Sequence, residues 1–512
     1  MAPSLHDTIE WIRAAAPGGR LVSDSRRVKP GDVFFAYPGE AADGRRYIEA
    51  AIEAGAAAVV FEAAGFTWDA AFTVPHLAVS ELKKNAGPIA HAVLDYPDSA
   101  MFTVAVTGTN GKTSCALWTA QTLARLGEAA AVVGTLGVGL IKGKAAAQAD
   151  AQFDVTGYTT PDAVLLAQKL ADLKKAGASA LAIEASSIGL VQERTAGMHV
   201  DVAIFTNLTR DHLDFHGDME SYEAAKVKLF EWDGLKHAVV NLDDPAGQRL
   251  VKHLRTKFPS LAVTGYTIAA AQAPDGVAVL RAGGMRSKNA GTEFQVESAQ
   301  GNATVRTQLV GNYNVSNTLA VLGALLAKGV ALKAAVDAIE TLVPAPGRMQ
   351  QMGGQDAPMV VIDYAHTPDA LEKTLEALRQ VATDRGGQLW CVFGCGGDRD
   401  PGKRPQMGRI AQGADQVLVT SDNPRSEEPG SIIAQIVAGM DANHPASRLQ
   451  TVEDRAAAIL LAVKQAGKQD VILLAGKGHE PYQEIKGRKM PFSDADHASL
   501  ALTARLTMLR TH

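Results

Sequence analysis

The chain has 512 residues, of which 46% are hydrophobic and 21% charged, and its formal net charge is −5. This length exceeds what one core usually holds and predicts about three domains. The composition excludes a disordered or fibrous chain, and the charge excludes a global basic field for nucleic acid or an anionic membrane. The N-terminus lacks a signal-like apolar core, and no apolar stretch predicts a membrane-spanning helix.

The three cysteines, Cys115, Cys391 and Cys395, match no zinc module and no disulfide framework. We therefore expect a reducing compartment, the cytoplasm.

Apolar strand-like runs alternate with alanine- and leucine-rich helical stretches along nearly the whole chain. The predicted strands include residues 56–61, 103–107, 180–184, 202–206, 237–241, 359–363, 389–394, 416–421 and 470–475. This alternation predicts an α/β protein with mostly parallel sheets, in which a doubly wound central domain is flanked by two further α/β domains.

Two segments resemble domain boundaries. The sequence YPDS at 96–99 precedes a new strand, and VPAP at 343–346 carries two prolines before a glycine. The predicted domains are 1–98, 99–343 and 344–512. Within the second, residues 270–307 are polar, glycine-rich and alternating, which predicts inserted hairpins.

A phosphate-binding loop is predicted after the strand at 103–107. The loop is GTNGKTS at 108–114, and a helix ending near Gly127 follows it. Backbone N–H groups and the helix dipole at such a junction point at phosphate oxygens. Lys112 would reach the β- and γ-phosphates, and the Thr113 hydroxyl would bind Mg²⁺. Val106 stands where the longer form of the motif has glycine, so this loop is a shorter variant.

Polar residues end two further predicted strands of the same domain. Glu184 ends one of them, and His212 follows the other within TNLTRDHLD at 206–214. Carboxyl ends of parallel strands share one rim with the phosphate loop, so we expect both side chains to face the nucleotide metal.

The next helix is capped by Asp218 and carries Tyr222, Ala225 and Leu229 as its apolar stripe. Lys226 lies at the edge of the buried side. From its spacing alone, Lys226 is expected to be a solvated surface lysine.

Taken together, these motifs resemble the Mur ligase family of peptidoglycan synthesis. The segments that carry the resemblance are GTNGKTS, EASS at 184–187, TNLTRDHLDFHGD at 206–218 and YEAAK at 222–226. Others are LVSDSRRVKPGD at 21–32, DGR at 43–45, GNYNVSN at 311–317, PGRM at 346–349 and DYAHTPDAL at 363–371. Their order across three domains makes the resemblance specific.

Within the family, the chain most resembles the ligases that add meso-diaminopimelate to UDP-N-acetylmuramoyl-L-alanyl-D-glutamate. The segments concerned are GCGGDRDPGKRP at 394–405, DNPR at 422–425 and GKGHE at 476–480. The resemblance implies ATP-dependent amide formation through an acyl phosphate, with release of ADP and phosphate. It also implies a part in cell-wall synthesis, cell shape and cell division.

The resemblance assigns roles residue by residue. ATP would be bound by Gly108, Thr109, Asn110, Gly111, Lys112, Thr113, Ser114, Asn314, Arg348 and Asp363. The catalytic set would be Lys112, Glu184, His212 and Lys226, and the metal ligands Thr113, Glu184, His212 and Lys226 as a carbamate. The UDP-sugar dipeptide would be held by Ser25, Thr159, Thr160, Ser186, Gln192 and Arg194. Diaminopimelate would be held by Arg399, Asp422, Asn423, Pro424, Arg425, Gly476 and Glu480.

The implied cofactors are ATP and Mg²⁺, and the implied partners are small-molecule substrates, without nucleic acid or membrane insertion. We expect a monomer. Two positions depart from the family pattern: Ile188 stands where many relatives have histidine, and Tyr158 where asparagine is common. Each puts one local substrate contact in doubt.

Several alternatives stay open at this point. The chain could add L-lysine, or act as another ligase of the superfamily such as folylpolyglutamate synthetase. The DSR and PGD segments argue against the folate enzyme, and Arg425 argues against lysine because it can pair with a carboxylate that lysine lacks. Outside this class, a P-loop motor or switch, or a non-catalytic nucleotide-binding protein, would also carry a phosphate loop.

Overall fold

The computed structural model describes residues 3–39, 42–143, 153–272, 274–288, 291–441 and 448–510. The strands in these ranges form sheets of four, ten and six strands and one two-stranded hairpin. Along the chain, helices alternate with the strands of each of the three larger sheets. This alternation confirms the predicted α/β class. Among the described helices, none is both long and apolar enough to cross a membrane.

The first sheet is parallel throughout, with its strands in chain order. Its elements are α1 (Leu5–Ala15), β1 (Leu21–Val22), β2 (Val33–Ala36), α2 (Ile48–Glu53), β3 (Ala58–Glu62), β4 (His76–Val79) and α3 (Leu82–Val93). A short 3-10 turn over Ser25–Arg27 follows β1, and the Asp24 side chain caps it by accepting from the backbone N–H of Arg26.

The second sheet is the largest. Its elements are β5 (Phe102–Thr107), α4 (Lys112–Arg125), β6 (Ala130–Gly134), β7 (Gly137–Ile141), α5 (Ala163–Lys175), β8 (Ala180–Glu184), α6 (Ser187–Val191), β9 (Val202–Phe205), α7 (Leu213–His216), α8 (Met219–Val227), β10 (His237–Asn241), α9 (Pro245–Lys257), β11 (Ala262–Thr267), β12 (Ala278–Lys288), β13 (Gly291–Ser298), β14 (Gly301–Thr307), α10 (Asn312–Ala327) and α11 (Leu332–Ile339). The strand order is β14-β13-β12-β11-β10-β9-β5-β8-β6-β7.

Strands β12 to β6 in that order run parallel, and antiparallel strands close both edges. The hairpins β12–β13 and β13–β14 confirm the prediction for residues 270–307. Along β5, Val104 and Val106 face one hydrophobic core and Ala105 faces another. A sheet covered on both faces needs continuous apolar strands, and this is why the buried runs predicted these strands well.

The arrangement puts the carboxyl ends of β5, β8 and β9 side by side, since β5 pairs with both of the others in parallel. Residues that follow these three strands therefore meet at one rim of the sheet.

The third sheet has the order β15-β16-β20-β17-β18-β19, parallel except for β15. Its elements are β15 (Gln350–Gly353), β16 (Met359–Asp363), α12 (Pro368–Arg385), β17 (Leu389–Phe393), α13 (Lys403–Ala411), β18 (Gln416–Val419), α14 (Pro429–Val437), β19 (Leu449–Thr451), α15 (Arg455–Gln465) and β20 (Val471–Ala475). The hairpin β21 (Tyr482–Ile485) and β22 (Arg488–Pro491) and the helix α16 (Asp494–Arg510) follow.

A buried ion pair joins this sheet's carboxyl rim to α16. The Arg455 guanidinium donates two hydrogen bonds to the carboxylate of Asp494, at 2.8 and 2.7 Å, and both side chains are fully buried. Arg455 also donates to the carbonyl oxygens of Ser421 and Ala475, at 3.4 and 3.0 Å. It thereby fixes the chain just before two loops that begin at Asp422 and Gly476.

Two expectations about helices need correction. Helix α4 is buried on nearly all sides, not on the single face of Ala116, Ala120 and Leu123, because it packs between the sheet and α10 and α11. In α8, Lys226 is not at the edge of the buried side but inside it, with 1% of its surface exposed.

Candidate active site

Two glycines shape the loop between β5 and α4. Gly108 has φ of 146° and Gly111 has φ of 88°, conformations that side-chain-bearing residues rarely adopt. A Cβ on Gly108 would lie 1.9 Å from Thr206 Oγ1, and a Cβ on Gly111 would lie 2.5 Å from Asn317 Oδ1. The loop can close on its neighbours only with glycine at both positions.

Lys112 curls back over this loop. Its Nζ donates to the carbonyl oxygens of Gly108 and Thr109, at 2.9 and 2.8 Å. Burial lowers the pKa of Lys112, while the charges of Glu184 and Asp211 oppose that shift. The Lys112 side chain therefore lies within the loop. A bound anion would compete with the carbonyls of Gly108 and Thr109 for its hydrogen bonds.

The loop is tied to the segment after β9. Thr109 Oγ1 donates to the carbonyl of Thr209 at 3.1 Å and lies 3.1 Å from the Tyr222 hydroxyl. The Asn110 N–H donates to Asn207 Oδ1 at 2.9 Å. Ser114, the last loop residue of the predicted set, is buried in the first turn of α4.

Glu184 is a buried carboxylate at the end of β8, with 2% of its surface exposed. Its Oε2 accepts from the hydroxyls of Thr113 and Thr135, at 3.0 and 3.1 Å, and its Oε1 accepts from the Thr135 N–H at 2.8 Å. A hydrogen bond thus joins Thr113 in the first turn of α4 to Glu184 at the end of β8. Sequence analysis missed Thr135, which stands in no recognisable motif.

His212 lies next to Asp211, with its Nε2 3.4 Å from Asp211 Oδ2. Burial lowers the pKa of His212 to about 4, the charge of Asp211 opposes the shift, and the charges of Lys112 and His366 add to it. The ring is therefore neutral near pH 7, which is the state in which imidazole binds a metal. Burial alone would raise the pKa of Asp211, but its hydrogen bond with His366 holds that pKa well below the usual range.

Lys226 is the most unusual group of the site. Its Nζ is buried and has no hydrogen-bond partner among the described residues, and it lies 4.1 Å from the centre of the Tyr222 ring. Burial and the charge of Lys112 hold the pKa of Lys226 far below its ordinary value, against the charge of Asp211. A neutral amine without a partner is the form that reacts with carbon dioxide.

Within the described ranges, histidine, cysteine and carboxylate side chains do not form a group of three that could hold a metal ion by themselves. A carbamate on Lys226, together with the Thr113 hydroxyl, would supply the missing oxygen ligands. The unpartnered Nζ fits this addition, so the donor set suits Mg²⁺, which prefers oxygen ligands.

The predicted nucleotide residues of the third sheet approach the loop. Arg348 Nη2 donates to Thr113 Oγ1 at 3.1 Å, and the guanidinium lies 4.5 Å from the centre of the Tyr364 ring. Asp363 ends β16 and accepts from the Met349 N–H at 2.8 Å, and burial raises its pKa. Asn314 is buried in α10 beside Asn317, the residue that closes against Gly111.

The residues expected to hold the UDP-sugar dipeptide form a hydroxyl-rich group beside Glu184. Thr160 Oγ1 lies 3.0 Å from Ser186 Oγ, Thr159 Oγ1 lies 3.2 Å from Thr135 Oγ1, and Arg194 Nη1 donates to the Thr160 carbonyl at 2.9 Å. Gln192 caps the end of α6.

Ser25 comes from the first sheet. A hydrogen bond joins the segment that contains Ser25 to the start of α5: the Ser23 hydroxyl donates to Asp162, the residue that caps this helix, at 2.7 Å. Tyr158, which stands where asparagine is common in the family, contacts one of these residues: the Arg194 guanidinium lies 5.0 Å from the centre of the Tyr158 ring. Ile188 is half-buried in α6.

The loops after β18 and β20 meet at the rim of the third sheet. Asn423 Nδ2 donates to Glu480 Oε2 at 2.8 Å. A Cβ on Gly476 would lie 2.4 Å from Asp422 Oδ2, so this glycine lets the two loops touch. Arg425 Nη1 donates to the Gly397 carbonyl at 2.7 Å, and its Nε lies 3.5 Å from Glu484 Oε2.

Arg399 and Pro424, which are also expected to hold diaminopimelate, lie at the same rim. We call the region around Arg425, Asn423 and Glu480 the amino-acid pocket. The Arg399 residue is exposed, and Arg399 Nη1 donates to the carbonyl of Asp398 at 3.0 Å. A Cβ on Gly396 would lie 3.9 Å from Arg399 Cγ and 2.9 Å from Arg425 Nη1. The carbonyl of Pro424 would lie 2.0 Å from a Cβ on Gly397.

Backbone strain marks the same region. His212, Met349, Asp398 and Arg425 are non-glycine residues with φ between 51° and 54°. Such conformations cost of order 1–3 kcal/mol each and cluster at binding sites. They show that the site's geometry is held by its surroundings.

Domain contacts complete the site. Arg210 Nε pairs with Asp400 Oδ2 at 3.1 Å, His366 Nε2 lies 3.6 Å from Asp211 Oδ2, and Asn110 Nδ2 donates to Asp369 Oδ2 at 3.2 Å. All three contacts join the rim of the second sheet to the third sheet's domain, which places the phosphate loop beside the pocket around Arg425.

The fold and the glycine loop define a P-loop nucleotide-binding protein of three α/β domains. Models of three Mur ligase domains match the chain: the "Mur ligase family, catalytic domain" at residues 20–94, the "Mur ligase middle domain" at 106–325 and the "Mur ligase, glutamate ligase domain" at 347–478. The chain belongs to the Mur ligase family, which confirms the resemblance found in its motifs.

Several similar proteins are diaminopimelate-adding ligases by name. The UDP-N-acetylmuramoyl-L-alanyl-D-glutamate--2,6-diaminopimelate ligase of Janthinobacterium sp. (strain Marseille) is 61% identical over 98% of each chain. The protein of the same name from Ralstonia nicotianae is 51% identical over 99% of this chain and 97% of its own. A solved structure of a ligase of that name is 36% identical, covers 95% of both chains and has a TM-score of 0.64.

We predict that Gly108→Ala weakens nucleotide binding at least about 10-fold, because the added Cβ must displace Thr206 and the positive φ is strained. Titration calorimetry with a non-hydrolysable ATP analogue measures the effect. Gly430→Ala is the matched control, since a Cβ at that helix position meets nothing closer than 3.8 Å. An unchanged dissociation constant for Gly108→Ala would contradict this view of the loop.

Proposed function

We propose that the protein is an ATP-dependent acid–amino-acid ligase that joins meso-diaminopimelate to UDP-N-acetylmuramoyl-L-alanyl-D-glutamate in peptidoglycan synthesis. The names of relatives that match nearly the whole chain support the reaction. The observation that carries the proposal is the hydrogen bond from Arg348 to Thr113. It joins the domain of the amino-acid pocket to the phosphate loop, so that acid, ATP and amine can meet.

The chemistry explains why both sites are needed. A carboxylate oxygen is a poor leaving group, so the γ-phosphoryl group of ATP is first transferred to the glutamate carboxylate. The amine of the amino acid then attacks the acyl carbon and displaces phosphate. ADP, formed in the first step, is the other product. Because the acid and ATP are both anions, the transfer depends on positioning and on neutralising charge.

Lys112 has the position to neutralise phosphate charge. Its Nζ already donates to the carbonyls of Gly108 and Thr109, and phosphate oxygens are stronger acceptors than these. The other loop residues, Asn314, Arg348 and Asp363 would hold the remainder of the nucleotide.

The residues suited to Mg²⁺ are Thr113, Glu184, His212 and a carbamylated Lys226. When bound, the metal would offset the negative charge of the two anions and polarise the phosphoryl oxygens. Glu184 is already buried and hydrogen-bonded to Thr113, so this carboxylate and hydroxyl are fixed before any ligand arrives.

Carbamylation of Lys226 would turn a group that repels Mg²⁺ into an anionic oxygen ligand. The reaction needs a neutral amine, and burial favours that form. The unpartnered Nζ supports the assignment, since a carbamate there could bond to the loop or the metal.

Selectivity for diaminopimelate depends on one extra carboxylate compared with lysine. Arg425 can bind that carboxylate through two parallel N–H···O bonds, and the Glu480 carboxylate can accept from the neighbouring ammonium. Lysine would leave the arginine unpaired, which disfavours it. Arg399 at the rim of the pocket would add positive charge for the same carboxylate.

We further propose that Ser25, Thr159, Thr160, Ser186, Gln192 and Arg194 hold the UDP-sugar dipeptide. Thr159 and Thr160 flank Glu184, so the dipeptide's carboxylate would lie beside the metal ligands. The protein would act in the cytoplasm as a monomer, and its three cysteines, all free and buried, agree with a reducing compartment.

The reaction is tested by ATP turnover. With the UDP-muramoyl dipeptide and meso-diaminopimelate both present, we expect stoichiometric ADP, phosphate and amide product, and little turnover when either is omitted. L-lysine in place of diaminopimelate should support much less turnover. Turnover independent of both cosubstrates would identify a motor or switch, and a preference for lysine would identify the alternative ligase.

We predict that Lys226→Ala lowers kcat at least about 100-fold, because the site loses an anionic metal ligand worth several kcal/mol. Added short carboxylic acids should restore part of the rate by filling the vacated space. Lys228→Ala, at an exposed position two residues on, should keep wild-type turnover. Retained activity in Lys226→Ala, or no response to the acids, would count against the carbamate.

We predict that Arg425→Ala lowers kcat/KM for diaminopimelate about 10- to 100-fold, since hydrogen bonds between charged groups are worth about 1.5–3 kcal/mol. The value for lysine should change much less, so the preference between the two amino acids narrows. Competition assays with both amino acids measure the ratio, with the exposed Arg409→Ala as control. An unchanged preference would show that Arg425 does not recognise the extra carboxylate.

A further inference from the structure

A fully buried lysine lies inside the amino-acid pocket. Lys477, on the loop after β20, has 0% of its surface exposed. Its Nζ donates to Asn423 Oδ1 and to Glu480 Oε2, both at 3.1 Å, and lies 4.0 Å from Asp422 Oδ1. Burial of an ammonium is costly unless it is paired, so this lysine needs an explanation beyond packing.

Lys477 determines how the Asn423 amide points. Asn423 Oδ1 accepts from Lys477 Nζ and from the Glu484 N–H, the latter at 2.9 Å, and both partners are donors only. The oxygen must therefore face them, and Nδ2 must face Glu480, to which it donates at 2.8 Å.

Lys477 also determines which oxygen of Glu480 is used. Oε2 accepts from both Lys477 and Asn423, so its two lone pairs are occupied. Among the described residues, Oε1 accepts only from the Tyr364 hydroxyl, at the long distance of 3.5 Å. The network leaves Oε1 as the oxygen with room for another donor.

The charges favour a cation as that donor. One ammonium, Lys477, stands between two carboxylates, Asp422 and Glu480, so the cluster has a formal charge of −1. An ammonium group of the incoming amino acid would balance this charge, while the Arg425 guanidinium nearby would take its carboxylate.

We propose that Lys477 is a positioning residue for amino-acid recognition: it fixes Asn423 and Glu480 so that Glu480 Oε1 accepts from the ammonium at the distal centre of the substrate. The inference rests on the proposed function, since it assumes that this pocket holds the incoming amino acid. A purely structural lysine would instead affect every substrate alike.

The test is a double-mutant cycle on the full-length protein with Lys477→Met, Glu480→Gln and the double variant. We expect Lys477→Met to raise KM for diaminopimelate about 10-fold or more, in line with the loss of hydrogen bonds to charged groups. KM for ATP and for the UDP-muramoyl dipeptide should stay within about 2-fold of wild type. In the Glu480→Gln background, Lys477→Met should add less than about 2-fold, because its target is already altered.

Two controls separate the possible results. Lys464→Met removes an exposed lysine of α15 and should behave as wild type. Should Lys477→Met not fold, Lys477→Arg keeps the cation but carries its donors on a longer, planar group, so their positions differ from that of Nζ, and it should give the same selective rise in KM. An equal rise in KM for all three substrates, or effects that multiply in the double variant, would overturn the inference.

Failure of the proposed function is visible separately in the wild-type protein. If wild type ligates another amino acid, the assignment of diaminopimelate is wrong, and the same cycle is measured with the amino acid it uses. If wild type ligates diaminopimelate and the cycle is additive, the function stands and the role of Lys477 is wrong.

Discussion

The site is organised by the hydrogen bond between the hydroxyl of Thr113 and the carboxylate of Glu184. Thr113 lies in the first turn of α4, after the phosphate loop, and Glu184 ends the neighbouring strand β8. The bond therefore joins the segments that follow two adjacent parallel strands. A carboxylate buried there is tolerable because it accepts three hydrogen bonds, from the hydroxyl of Thr113 and from the hydroxyl and N–H of Thr135. The phosphate loop, the oxygens that we propose bind Mg²⁺ and the hydroxyl-rich group around Thr159 and Thr160 all depend on the position of Glu184.

A second constraint is the docking of the third sheet's domain on this rim. Arg348 reaches the same Thr113, while Arg210 pairs with Asp400 and Asp211 with His366. These contacts put a strained loop containing Arg425 near the phosphate loop. For a reaction in which an amine must attack a short-lived acyl phosphate, this proximity replaces diffusion with positioning.

Much of this could be predicted from the sequence where the signal is local. The buried runs that predicted β5, β8, β9 and β10 coincide with observed strands, because a sheet covered on both faces requires them. Asp218 caps α8 as expected, since an N-cap is a local interaction. The glycine loop was recognisable because only glycine allows its backbone.

Features that depend on distant contacts were not predictable in this way. Helical spacing placed Lys226 at an edge, but the Tyr222 ring and the loop bury it. Thr135 stands in no motif, and Asn317 and Lys477 lie in recognised motifs that assign them no role. The contacts of all three residues are found only when the strands are assembled. The roles assigned to the site residues from resemblance stay predictions until substrates are bound.

We propose that the phosphate loop beside Glu184 places ATP so that a phosphoryl group passes to the glutamate carboxylate before the amide forms. The most direct measurement uses UDP-muramoyl dipeptide labelled with heavy oxygen in its glutamate carboxylates and analyses the released phosphate by mass spectrometry. We expect one labelled oxygen in each phosphate, because the amine displaces phosphate by breaking the bond between the acyl carbon and that oxygen. Phosphate without label, formed alongside the amide product, would contradict it.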